Sequence, residues 1–521
     1  MRFDELLDSY SLTADFPLDV MEEADGVSDT VDAKAYPKRR DLTGTNIFTI
    51  DGADAKDLDD AVSIEQSVDG GFRLGVHIAD VSHYVADGSP LDREARSRGT
   101  SVYLIDKVIP MLPQRLSNGI CSLNPQVPRL TLSVVMEIDR FGSVESYEIF
   151  ESIITTKHRM TYTDITAILE GDRKTCEKYR EYIEDFQLME KLAEILRKRR
   201  SKRGALDFDF PEAKIILDET GKPIDLQQAE ITVSNKIIEE FMLKCNETVA
   251  EHMEQLELPL IYRVHEEPQG DKISKFALML KGLGYKARLD KEVTPRKLQE
   301  VLKMVSGKDE EQAVSTIMLR SLMKARYHSE NLGHFGLASN YYCHFTSPIR
   351  RYPDLVVHRI VKEWLAGTLN DKKKAYYSKF VEKASDESSD AEVQAVEAER
   401  TWAQVKMCEY MVDKVGEDFE GFISSVTSFG LYVQLPNLAE GLVPVGEMKN
   451  DYYMFDEVHY LLRGRRTGIV YKIGDKIKVK LVQVDLKMNH IDFIPLEEKR
   501  PSKKKNPNFP KKNYNKKRRK G

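Results

Sequence analysis

Asp51, Asp54, Asp57, Asp59 and Asp60 fall within ten residues, in the segment IDGADAKDLDD that ends at Asp60. Carboxylates at this density are the donors a hard divalent cation needs. Magnesium is commonly held by a few of them together with phosphate oxygens of a substrate. Asp51 closes an apolar stretch, and Asp57, Asp59 and Asp60 sit on the returning loop, so these four can converge on one or two ions. Without a cation they repel one another, and some are expected to keep their protons above the usual carboxylate range. A solvated acidic turn or a structural calcium loop is the plainer explanation. The calcium-loop template requires Gly at its sixth place and Glu at its twelfth. Counted from Asp51 those places hold Lys56 and Val62, so that template fails, while the acidic turn stays open on spacing alone.

A second segment with chemistry in it reads HFTSPIRRYPDLVVHR, from His344 to Arg359. Pro348 and Pro353 restrict the backbone to extended or turning conformations, and Asp354 is expected to cap a helix starting at Leu355. Arg350 and Arg351 are then presented on a constrained loop at a helix start. A guanidinium fork matches phosphate oxygens and stabilises charge that builds up in phosphoryl transfer. Arg351 is assigned to structure, and His358, one turn into the helix, to the packed core. No Ser-His-Asp arrangement is evident.

The elements that must position these residues can be sketched. Ile47–Ile50 and Ala61–Ile64 are apolar and strand-prone on either side of the acidic loop. Phe72, Leu74, Val76 and Ile78 alternate as in a half-buried strand, and Leu130–Ile138 is a further strand candidate. Ile183, Phe186, Met189, Leu192 and Ile195 recur every three residues and predict a helix. It ends in six basic residues between Arg197 and Arg203, before Gly204, as the dipole and a left-handed stop favour; that basic cluster is expected to be solvated. Residues 233–256 and 390–414 also predict helices. Residues 1–40 read as a lead-in, and 41–414 as one mixed α/β unit. After Gly416 the short patterns GFISSV, GLYVQL, EGLVPV, KIKVKLVQVD and HIDFIPL predict a small β-barrel over 416–497. Residues 498–521 are Lys-rich with few apolar positions and are expected to be disordered.

With 41% hydrophobic and 31% charged residues, the 521-residue chain has the composition of a soluble globular protein of two or three units. It contains no apolar run of spanning length, and MRFDELLDSY lacks the start of a secretory signal. Five scattered cysteines without metal-type spacing fit core positions in a reducing cytoplasm. Lys499 to Gly521 hold twelve Lys or Arg and no acid, so the net charge of −7 conceals a strongly acidic body. That balance suits an enzyme that gathers carboxylates in one place and holds a polyanion in another.

The aspartate loop, RGTSVYLIDKVIPMLPQRLSNGICSLNP (98–125) and HFTSPIRRYPDLVVHR together resemble the ribonuclease II superfamily, and within it the ribonuclease R branch. The resemblance covers residues 15–497, with three long motifs in the family's order. It implies a 3′-to-5′ exoribonuclease that hydrolyses single-stranded RNA stepwise to nucleoside 5′-monophosphates, in RNA turnover and quality control. By the same resemblance, Asp51, Asp57, Asp59 and Asp60 match the catalytic-site aspartates, which would hold two Mg2+ ions, with Mn2+ as a substitute. Arg350 matches the arginine on the scissile phosphate, Tyr103 the tyrosine against the 3′-terminal nucleotide, and Glu399 a glutamate beside it. Residues taken alone would place Tyr103 in the core or on a strand surface, and Glu399 on a solvated helix.

The barrel resembles the family's OB-fold RNA-binding domain. Phe422, Phe429 and Tyr432 stand where such domains present stacking aromatics, although each can equally be barrel core. Arg463, Arg465, Arg466, Lys476, Lys478 and Lys480 belong to the same unit, and Pro444 stands where such domains often have His. Tyr262 and His265, in IYRVHEEP, can border the RNA path. Members of the family usually carry cold-shock-type domains ahead of the catalytic unit. Their absence here is expected to weaken RNA affinity and relax substrate choice without changing the metal site. The expected partner is RNA with a single-stranded 3′ end, and the expected state a monomer. A catalytically inactive RNA-binding regulator on the same scaffold is the alternative, and a nuclease for single-stranded DNA a third reading. The presence of all four aspartates and Arg350 gives the inactive form no support.

Overall fold

Strand-prone stretches and amphipathic helices collapse into a mixed α/β body joined to a barrel. The computed structural model describes residues 1–208, 212–287, 289, 293–308, 310–457 and 459–496; the expected tail, 498–521, lies outside them. Seven strands form the body's sheet. Their spatial order is Arg40–Asp41, Val144–Thr155, Pro128–Ile138, Phe72–Ala79, Asp60–Gln66, Phe48–Asp51 and His158–Thr161. The inner strands pair antiparallel, whereas both outermost pairings are parallel.

The strand Phe72–Ala79 is not half-buried as its alternation predicts. All its residues except Arg73 are buried, because the polar positions are also sealed inside. His77 bonds Ser63 at 3.0 Å and Ser133 at 2.7 Å, and Ser133 bonds Ser152 at 2.6 Å. Buried polar groups persist when partnered in this way.

The predicted helix is Ile183–Arg203, with Phe186, Met189 and Leu192 buried and Gly204 closing it at φ 111°. Its basic end is not simply solvated. Arg200 is 8% exposed and donates to Glu240 at 2.7 and 3.0 Å and to Asp207 at 2.8 Å. Glu240 comes from the second predicted helix, Val233–Gln255, which packs alongside and neutralises the charge. The third helix starts well before residue 390: it runs unbroken from Asp371 to Met411, capped by the Asn370 side chain.

Five strands, Asp418–Thr427, Gly430–Gln434, Glu440–Pro444, His490–Pro495 and Lys476–Asp485, close the barrel. Its core is Ile423, Leu431, Val433, Val479, Leu481 and Phe493. A separate three-stranded sheet (Tyr453–Asp456, Leu461–Gly464, Val470–Lys472) is inserted before the Lys476 strand and carries Arg463. Within the first forty residues, helix Phe3–Ser9 buries Leu6 in a cluster with Trp402 and Leu104. No helix among the described residues is long and apolar enough to cross a membrane. All five cysteines are free, four of them buried.

Candidate active site

Asp51 is the last residue of the strand Phe48–Asp51, and Asp60 the first of Asp60–Gln66. The intervening loop brings the acids back to the sheet end they left. Asp51, Asp57, Asp59 and Asp60 all line one cleft of about 290 Å³, with Arg350, Arg351, Tyr162, Leu243 and Asn246 among the other lining residues.

The loop's backbone is held from outside. Arg159 lies opposite Thr49 in the neighbouring strand, and its Nη2 donates to the carbonyls of Gly52 (3.2 Å), Ala53 (2.6 Å) and Ala55 (2.7 Å). Ser122 donates to the Lys56 carbonyl at 2.7 Å and accepts from the Leu58 N–H at 3.1 Å. Both residues escape sequence reasoning, because a side chain that anchors a distant backbone leaves no spacing signal.

Asp59 is 3% exposed, and its Oδ1 accepts the Ile349 N–H at 2.8 Å. Its Oδ2 has no hydrogen-bond partner, and neither does Oδ2 of Asp51. The nearest cation to Asp59, Arg350 Nε, stands off at 3.6 Å. Burial therefore dominates: it pushes Asp59 well above the ordinary carboxyl range, more than Arg350 offsets. Burial, followed by the nearby Asp60, lifts Asp51 to about 8, and burial lifts Asp60 to about 6 against the pull of Arg350 and Arg351. A carboxylate cluster left this short of positive charge is poised for a cation. Among the described residues, no three His, Cys, Asp or Glu side chains are already gathered closely enough to hold a metal ion.

The arginine loop differs from expectation at its helix. That helix begins at Tyr352, not Leu355, with Pro353 in its first turn, where a missing N–H is harmless. Asp354 is no cap. It is fully buried and its Oδ1 accepts Arg351 Nη2 at 2.7 Å and the Ser347 N–H at 2.8 Å. Arg351 is thereby tied into the loop, as its structural assignment expects. Arg350 remains 43% exposed at its side chain, steadied by Ser347 Oγ at 3.1 Å. His358 is fully buried, its Nε2 2.7 Å from the Phe345 carbonyl.

Tyr103 sits at the tip of a two-strand hairpin, Val102–Tyr103 with Val108–Ile109. Its hydroxyl donates to Asp57 and its N–H to Glu399 Oε1 at 2.7 Å, while the residue keeps 39% of its surface open. Tyr103, Glu399 and the aspartates are thus one connected set, although three separate segments supply them. Burial raises both the Tyr103 hydroxyl and the Glu399 carboxyl above their ordinary values.

In the barrel, Phe429 is 53% exposed and meets Tyr432 edge-on at 6.1 Å. Phe422 turns instead into a cavity against helix Glu311–Ser321. None of the three is in the barrel core. Tyr262 and His265, by contrast, are buried, with Tyr262 bonded to Glu254 and His265 accepting the Gly336 N–H at 3.0 Å.

Comparison with known proteins places this geometry. Residues 39–367 match the RNB domain and residues 412–494 the S1 RNA binding domain. Ribonuclease R of Thermotoga maritima is 45% identical over 93% of this chain and 68% of its own length. The chain belongs to the ribonuclease R family. Ribonuclease R 1 of Lactococcus lactis is also 45% identical over 94% of the chain, which spans 60% of that relative's length. Mycoplasma genitalium ribonuclease R in its apo form superposes with a TM-score of 0.88 at 30% identity, over 95% of this chain and 77% of that one. The same relative is known in complex with ribose-methylated single-stranded RNA. Yeast Ssd1, a pseudonuclease, shares the fold at a TM-score of 0.67 and 21% identity, over 88% of this chain and 57% of its own. The ribonuclease R fold therefore does not by itself establish activity; the residues of the site decide it.

Proposed function

We propose that this chain hydrolyses single-stranded RNA from its 3′ end and releases nucleoside 5′-monophosphates one at a time. The catalytic unit in this reading is 41–414, the RNA-binding barrel is 416–497, and the protein works as a monomer. Its free cysteines support a reducing compartment such as the cytoplasm. One observation carries the proposal: Asp51 Oδ2 and Asp59 Oδ2 are buried without hydrogen-bond partners in a cleft that also holds the half-exposed guanidinium of Arg350.

Unpartnered carboxylate oxygens are a hard-oxygen donor set, which fits magnesium, or manganese in its place. Asp51, Asp57, Asp59 and Asp60 would hold two such ions, and these would supply a water nucleophile at neutral pH and offset charge on the leaving oxygen. The protein's own groups do the rest. Arg350 binds a non-bridging oxygen of the scissile phosphate. Water adds to phosphorus, the bond to the 3′ oxygen breaks, and a proton passes to that oxygen. Tyr103 offers an open ring face to the terminal base or sugar, its orientation fixed by Asp57 and Glu399. Phe429 and Tyr432 offer sequence-tolerant stacking on the barrel.

The test uses end-labelled RNA and DNA oligonucleotides with magnesium or EDTA. Stepwise laddering of RNA only, absent with EDTA, is the expected result. Intact RNA that stays bound in the presence of magnesium would instead establish an RNA-binding protein without activity.

A further inference from the structure

The catalytic cleft is not the largest opening beside helix Val233–Gln255. On the other side of helix Val233–Gln255 lies a cavity of about 500 Å³, within the roughly 300–1,000 Å³ usual for small-molecule sites. Its lining includes three cations, Arg199, Arg203 and Lys244, and the rings of Tyr147 and Tyr341. A small void of about 20 Å³ lies between the two. That void shares Leu243 with the catalytic cleft, and Arg199, Arg203, Lys244 and Glu247 with the outer cavity. The three spaces therefore follow one another around the helix.

The narrow point lies between two packed helices and is closed by side chains: Leu196, Leu243, the buried Arg200–Glu240 pair and the group around Glu247. Glu247 is clasped by Arg203 and by Lys244 at 2.8 Å, with its carboxyl held below the ordinary range although burial opposes this. Arg199 is exposed and has one hydroxyl partner, Ser143 Oγ, at 2.6 Å, so most of its donors are uncommitted. The outer cavity thus offers guanidinium and ammonium donors beside aromatic faces, the groups that recognise a phosphate attached to a base. Ala338, also in the lining, is held at φ 49°. Strained backbone of this kind concentrates at ligand sites.

We infer that this cavity receives the nucleoside 5′-monophosphate after cleavage and is its way out. The inference rests on the exonuclease reading. An RNA fed 3′ end first fills the entrance to the cleft, so a product that is not to back out past it needs a second opening. The product phosphate exchanges places with Glu247 on Arg203 and Lys244, and Arg199 draws it outward.

Two variants test this without touching the catalytic cleft. Asn340 is an exposed residue of the cavity lining, so Asn340→Trp fills the exit without disturbing the core, and Arg199→Glu reverses its charge. Both are expected to cleave the first bond at the wild-type rate in a single turnover. Steady-state stepping should slow about tenfold, as when product release becomes limiting. Calorimetric titration with adenosine 5′-monophosphate should show weaker binding to both variants, and inorganic phosphate alone should bind more weakly than the nucleotide to wild type. Wild-type stepping and wild-type nucleotide binding in both variants would overturn the inference. A wild-type protein that never cleaves RNA would refute the exonuclease reading instead, and the nucleotide titration would still decide the cavity.

Discussion

Two buried carboxylate sites lie on neighbouring strands and have opposite electrostatics. Asp80 follows the strand Phe72–Ala79 and is 1% exposed. Arg39 reaches it at 2.5 Å and Lys362 at 2.8 Å. Burial would raise its carboxyl, but these two cations outweigh that and drive it below the ordinary range. Asp59, one strand away, is nearly as deeply placed at 3% exposed, and Asp60 beside it is partly covered; Arg350 and Arg351 do not outweigh burial there, and both carboxyls rise. The protein is able to build a complete buried ion pair and does so at Asp80. At the aspartate loop it leaves the charge unbalanced, which is how a site for an external cation differs from a structural bridge.

The contrast can be broken by substitution. Asp59→Asn is expected to lower the RNA cleavage rate about a thousandfold while leaving the melting temperature unchanged or higher, since it removes an uncompensated charge. Single-turnover assays and thermal melts check both halves, and an active variant would end the distinction. Lys362→Met should do the reverse. Leaving Asp80 with Arg39 as its one bonded cation costs about 3 kcal/mol of stability, read by denaturant unfolding, with magnesium binding unaltered.

Magnesium itself sharpens the comparison. At a hundred times its dissociation constant it should stabilise the wild type by about 2.7 kcal/mol, and Lys362→Met by the same increment, but Asp59→Asn by far less. The smallest effect is in pH. In EDTA the folded Asp51 keeps its proton up to about 8, whereas the unfolded chain releases it near 3.8. The folded state then binds more protons between those values, so its stability falls as pH rises through them. Asp51→Asn should flatten that slope in melts recorded from pH 5 to 8; an unchanged slope would locate the titration elsewhere.

Legibility in the sequence followed the kind of signal each residue carries. The strands at Phe48, Asp60, Phe72 and Pro128 announce themselves by apolar pattern. Val144–Thr155 does not, because its exposed first half reads as polar. Helix Asp371–Met411 is legible only from residue 390, since its first turns, DKKKAYYSKFVEKASDESS, have too few apolar positions to show a stripe; they bury Tyr377, Val381, Ala384 and two serines. The aspartates were visible as a cluster, and the structure brings all four to one cleft. Tyr103 and Glu399 are single residues on separate segments, and only family resemblance marked them. Arg200 illustrates the opposite error. A basic run suggests solvent until a partner helix supplies Glu240.

Helix Asp371–Met411 also sets a length. Its 41 residues make a rod of about 60 Å. Glu399 on that rod holds Tyr103, and Cys408 and Met411 are packed into the barrel's core. Those points are nine to twelve residues apart, about 14–18 Å along the axis, and a continuous helix cannot shorten between them without breaking its own hydrogen bonds, so the Tyr103–Glu399 contact and the barrel keep a constant separation. On the proposed function the helix acts as a ruler: an oligonucleotide too short to span that distance would touch one end only and lose the advantage of being held twice.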